Sequence, residues 1–253
     1  MTFRHFLQLL IGKAPYSLWK TLYVNYKVFP RATAKVLPVK VGHHVDLKGL
    51  YKGCIVLPSG ISPHKYMFRL GVSPWPLYSN KSMYTWIWFH KDAKLIVGDE
   101  VDINSGCRLV ITANATITLG NHFFINQNSL LYCSKSISFG DNCTLGWDCQ
   151  VYDSDFHICQ NKNTGETKSP FAPIRVGDNV WIANRTTIAK GSVVPSNSVV
   201  GSNSLVNNDL SSFNEGGLFA GIPATFRKEG ISYITNKKEE ARLRKKYLHE
   251  KGE

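Results

Sequence analysis

From Val176 the apolar positions keep a beat of six. The chain reads VGDNVW IANRTT IAKGSV VPSNSV VGSNSL VNNDLS, with Val176, Ile182, Ile188, Val194, Val200 and Val206 opening successive hexapeptides. Four residues after each stand Val180, Thr186, Ser192, Ser198, Ser204 and Leu210, which are mostly small. A helical stripe at 3.6 residues per turn would lose this register within two turns, so the repeat is not helical. The same frame runs upstream with slips: Val97, Ile103 and Leu109, then Leu119, Ile125 and Leu131, then Phe139, Leu145 and Val151. Gly98-Asp99, Gly120-Asn121, Gly140-Asp141 and Gly177-Asp178 mark equivalent points, separated by 22, 20 and 37 residues. Three hexapeptides and a few corner residues make one triangular coil, which accounts for the first two separations. Each short face buries an aliphatic, Gly, Asn and Asp turn the corners, and stacked coils share one core. The third separation exceeds a 20-residue coil by 17, so a polar loop is expected to project between Val151 and Val176.

The ends follow another period. Phe3, Phe6, Leu7, Leu10 and Ile11 have helical spacing, and a second helix is expected from Ser17, using Leu18, Leu22, Tyr26 and Phe29 before Pro30. Packed on the open end of the coil, these helices would cap its edge. Lys237–Glu253 reads as a charged, solvated helix with Asn236 and Glu239 at capping-box spacing. Residues 62–92, with Pro63, Pro74, Trp75, Pro76, Trp86 and Trp88, break the repeat; an extruded segment lining an acceptor cleft is one reading, and the sequence does not decide it. The organisation expected is therefore a helical segment 1–38, a coil over 39–228 with its loop near 152–173, and a charged helix over 229–253.

Composition narrows this picture. The 253 residues are 43% hydrophobic and 12% aromatic, which suits a packed core and excludes collagen-like or disordered classes. No apolar run reaches the roughly 18–20 residues of a membrane span. The N-terminus alternates apolar and basic residues and does not read as a signal peptide, so a cytoplasmic protein is expected. A net charge of +12 favours anionic partners. The six cysteines form no CxxC pair, and Cys107, Cys143 and Cys149 occupy the small slot of the repeat, as packing residues would.

Residues 95–228, with VGDNVWIANRTTIAKGSVVPSNSVVGSNSLV and the closing Gly221-Ile222-Pro223-Ala224, resemble the hexapeptide-repeat acyltransferases. They are most similar to the sugar and polysaccharide O-acetyltransferase branch, and a weaker likeness extends back to Val39. The resemblance implies a mainly β fold, a left-handed parallel β-helix, assembled as a homotrimer with each site between neighbouring subunits. It also implies acetyl-CoA as co-substrate, a sugar or glycan hydroxyl as acceptor, and neither a metal nor nucleic acid. Asp153-Ser154-Asp155-Phe156-His157 matches the family's catalytic context at a coil-to-loop junction. His157 is then the general base, since imidazole titrates near neutral pH, with Asp153 or Asp155 orienting its ring. Cys159 is the one competing nucleophile. For the CoA arm the matching positions are Trp181, Ala183 (where the family has Gly), Gly201 and Ser202; Arg227 and Lys228 match the basic residues near the 3′-phosphate. An amino sugar, a nucleotide sugar or serine is the alternative acceptor, and a scaffold or anion-binding coil the non-enzymatic reading. An aromatic, basic N-terminal face would add peripheral membrane contact.

Overall fold

The computed structural model describes residues 16–72, 83–213 and 216–249. Its body is the expected parallel β-helix, a three-sided prism. Three sheets of nine, seven and six strands form the first, second and third faces, and every neighbouring pair is parallel except the last on the first face. The first face runs from Val39–Val41 to Ala224–Lys228, the second from Val45–Lys48 to Leu205–Val206, and the third from Ile55–Val56 to Val193–Val194.

The hexapeptide beat is the inward register of these faces. Val176, Ile182, Ile188, Val194, Val200 and Val206 are all buried, and the upstream sets Val97/Ile103/Leu109, Leu119/Ile125/Leu131 and Phe139/Leu145/Val151 join the same core. Five cysteines, Cys54, Cys107, Cys133, Cys143 and Cys149, pack there as free thiols, and only Cys159 is exposed.

The corners explain the Gly-Asp dipeptides. Between the third and first faces, the Asp99 N–H donates to Asn121 Oδ1 (2.8 Å), that of Asn121 to Asp141 Oδ1 (2.7 Å), that of Asp141 to Asp178 Oδ1 (2.7 Å) and that of Asp178 to Ser196 Oγ (2.9 Å). One short polar side chain per coil thus satisfies a backbone N–H that the turn leaves free. The glycine before it allows the coils to approach: a Cβ at Gly120 would lie 2.4 Å from the Gly140 carbonyl.

The N-terminal end is capped as expected. Helix α1, Leu18–Val28, starts at Ser17, whose hydroxyl accepts from Lys20 N. Buried Asn25 donates to Val39 O (2.7 Å) and accepts from Val39 N (3.0 Å), and Thr21 Oγ1 accepts from Val41 N (3.1 Å). The helix thereby pairs the free edge of the first strand, which would otherwise be open. A short helix α2, Arg31–Ala34, follows. The expected helix over residues 3–11 lies outside the described residues.

The described parts of residues 62–92 belong to the coil. They contribute strand Phe68–Leu70 to the first face and Thr85–Phe89 to the second, so Trp86 and Trp88 are outward positions of a strand that buries Thr85, Ile87 and Phe89. Ile87 holds the aliphatic slot, opposite Leu109, but it stands 17 residues after Leu70, where Ile103 and Leu109 of the next coil stand six apart, and this hid the repeat. Residues 73–82, with Trp75, lie outside the described residues.

At the other end, Gly217–Gly221 and Ala224–Lys228 close the coil as an antiparallel hairpin. The chain then returns along the first face, where Tyr233 Oη donates to Asn142 O. Helix α3, Lys237–His249, begins at Asn236, whose Oδ1 accepts from Lys238 N (3.0 Å) and Glu239 N (3.2 Å).

Candidate active site

The projecting loop leaves the second face after strand Gln150–Tyr152 and rejoins the third at Ile174–Val176. It is an arm of two antiparallel limbs, bridged at Ser154–Phe171 and Gln160–Thr167. Its root is tied by Asp155 N to Pro170 O (2.9 Å) and Ala172 N to Asp153 O (3.1 Å). Phe156 adopts φ +60°, the left-handed position that Asp92 (+56°) and Asn114 (+61°) take at this corner in earlier coils. Its ring packs on Tyr132 (4.9 Å) and Tyr152 (5.9 Å), anchoring the arm to the second face.

His157 follows this anchor. Its N–H donates to Asp155 O (2.7 Å) and its side chain is exposed. It borders an open cleft of about 610 Å³ with Asp155, Cys159, Glu166, Lys168 and Lys190. Lys190, one coil on, pairs with Asp155 Oδ2 and donates to Ser169 O (3.0 Å), so one ammonium holds both limbs. Sequence reasoning missed Lys190 because a lysine in a corner slot carries no signal of its own.

The two aspartates do not flank the imidazole. Asp153 is fully buried, and its carboxylate accepts from Ser134 N (2.6 Å), Lys135 N (2.7 Å) and Cys133 Sγ (3.6 Å). Asp155 is committed to Lys190. Among the described residues neither bonds the His157 ring. The expected Asp–His pair is replaced by a division of labour: Asp153 fixes the root of the arm and Asp155 its limb. Its side chain turned outward on the arm, Cys159 also lines the cleft.

The positions matched to a CoA arm gather mostly at another corner, between the first and second faces. In register, Leu145, Ile182, Val200 and Phe219 stack, so Gly146, Ala183, Gly201 and Ala220 follow one another along this edge. Ala183 is buried, a Cβ at Gly201 would lie 3.1 Å from Ala220 Cβ, and Ser202 Oγ donates to Asn184 Oδ1 (2.8 Å). Arg227 reaches the same edge, its Nε donating to Ala220 O (3.1 Å), and its guanidinium is exposed there. Lys228 is exposed beside it on the closing strand. Trp181 stands apart. It projects from the first face into a cleft of about 290 Å³ with Thr144, Tyr233, Glu240 and Arg244, under the C-terminal return.

The arm and the small-residue edge therefore bound opposite sides of the second face, on adjacent coils paired through Gln150–Thr187 and Val151–Ile188. The structure does not bring His157 to the Ala183/Gly201 corner of its own chain. Among the described residues no group of three His, Cys, Asp or Glu converges as a metal site, and no helix is long and apolar enough to cross a membrane.

No family model matches the chain. Among solved structures it is similar to NeuO, a polySia-specific acetyltransferase, at 20% identity over 61% of this chain and 80% of that one (TM-score 0.49). It is similar to the hexapeptide-repeat acetyltransferase VCA0836 of Vibrio cholerae, complexed with acetyl coenzyme A, at 26% identity over 52% and 68% (TM-score 0.42). It is also similar to AntD, an N-acyltransferase from Bacillus cereus in complex with dTDP and coenzyme A, at 15% identity over 81% and 91% (TM-score 0.43).

Proposed function

We propose that the protein is a CoA-dependent O-acyltransferase that moves an acetyl group from acetyl-CoA to a sugar hydroxyl of a surface glycan or its precursor. One observation carries this reading: from Lys94 to Val206 the coil is interrupted at a single corner, by an arm that holds an exposed histidine over a cleft. In the proposed step His157 takes the proton of the acceptor hydroxyl as its oxygen attacks the thioester carbonyl. The tetrahedral intermediate then collapses, expelling the CoA sulfur, which ends as the free thiol. Asp153 and Asp155 act through the arm they hold and are positioning residues. The edge formed by Ala183, Gly201 and Ser202 takes the pantetheine arm, with Arg227 and Lys228 toward the 3′-phosphate.

Because the arm and this edge lie at different corners, a complete site joins the arm of one copy to the edge of a neighbour, as in a homotrimer. Five buried thiols and a soluble CoA donor suit the cytoplasm. The test is CoA release from acetyl-CoA with a panel of sugars, glycan fragments, amino sugars, nucleotide sugars and serine, for wild type and His157→Ala. Removal of a general base should lower turnover roughly 10²–10⁴-fold while acetyl-CoA still binds. Turnover that survives the substitution would exclude His157, and failure to bind acetyl-CoA would exclude the enzyme.

A further inference from the structure

The basic excess has an address. Residues 1–72 hold eleven Lys and Arg against one acid, Asp46, whereas residues 73–228 hold twelve of each. In the fold, the described part of that segment is the N-terminal end of the prism: α1, α2 and the first turns of the coil.

At this end α1 has two unlike sides. Thr21, Val24, Asn25 and Val28 are buried against the first strand. On the opposite side Trp19, Tyr23 and Tyr26 are 80%, 54% and 52% exposed. Their spacing of i, i+4 and i+7 puts the three rings on one stripe, and Lys27 continues it at i+8. Arg31 and Lys35 extend the exposed basic surface through α2, and among the described residues none of these three cations is held in an ion pair.

Trp and Tyr combine an apolar ring with a polar edge, and they concentrate where acyl chains meet headgroups. Lysine and arginine beside them add attraction to an anionic surface. A duplex-binding surface would instead track phosphates with cations along a groove, and this stripe is the convex side of a helix. We propose that the N-terminal end of the prism docks on an anionic bilayer, with α1 lying in the headgroup layer and Trp19, Tyr23 and Tyr26 directed inward. Docking at this end is independent of chemistry at the arm.

Vesicle flotation tests it, with phosphatidylcholine alone or mixed with about 30% phosphatidylglycerol. The wild type should float with the anionic vesicles and far less with the neutral ones. Lys27→Gln/Arg31→Gln/Lys35→Gln should lower the partition coefficient about a hundredfold. Trp19→Ala/Tyr23→Ala/Tyr26→Ala should lower it at least about tenfold, with thermal midpoints near wild type because these side chains are exposed. Absence of anionic-vesicle binding would overturn the proposal, as would either triple variant binding like wild type. A single-stranded DNA that displaces the protein from vesicles at physiological salt would also overturn it, marking a nucleic-acid surface.

Discussion

Two backbone N–H groups, of Ser134 and Lys135, depend on one buried carboxylate at Asp153. Hydrogen bonds to a charged acceptor contribute about 1.5–3 kcal/mol each, and an orphaned buried donor costs a similar amount. Asp153→Ala is therefore expected to destabilise the fold by about 3 kcal/mol. Asp153→Asn, which keeps one acceptor oxygen, should cost about half as much and leave kcat within a few-fold of wild type. Urea unfolding and steady-state kinetics would check both, and a kcat loss of 10²-fold in a stable Asn variant would return Asp153 to the chemistry. The spacing of Asp153 and His157 reports nearness along the chain, but alternation carries the better signal. Val151 faces inward, so Asp153, two residues on, faces inward as well and away from the arm.

Among the elements, strands were legible wherever the inward slot held Val, Ile or Leu, because six-residue spacing leaves no competing helix. Thr85–Phe89 was obscured by its two outward tryptophans and by the 17-residue spacing from Leu70 to Ile87, where the next coil has six from Ile103 to Leu109. The place of the arm was legible from the surplus of residues between Gly-Asp corners. Its relation to the small-residue edge was not, since hexapeptide spacing does not say which corners share a site. That edge has little room: Gly201→Val would press its side chain on Ala220, at a packing cost of about 1–3 kcal/mol. It should weaken acetyl-CoA binding at least about tenfold while the coil stays folded, as calorimetric titration beside a melting curve would show. Unchanged affinity would move the CoA arm to another corner.

For the whole molecule the cysteines couple stability to pH. Burial pushes the thiols of Cys107 and Cys143 up to about 12 and that of Cys149 up to about 11, from an ordinary 9.0. The folded chain keeps these protons at pH values where the unfolded chain releases them. Their contribution is thus intact below pH 9 and is lost as the pH rises toward 11, by up to about 1.4 kcal/mol per pH unit for each thiol. The urea midpoint should fall markedly between pH 8 and pH 10.5, and a flat profile would mean that the thiols are open to water. The total charge was plain from composition, but its gathering at one end became visible only when the chain was folded into a prism with two distinct ends. That prism is also a ruler. Four strand steps of the second face separate Val45–Lys48 from Gln150–Tyr152, which launches the arm. At about 4.8 Å per step, the arm stands roughly 19 Å from the capped end. This height can change only by whole coils: duplicating one below the arm would raise His157 by a single step and leave the corner bonds above it as they are.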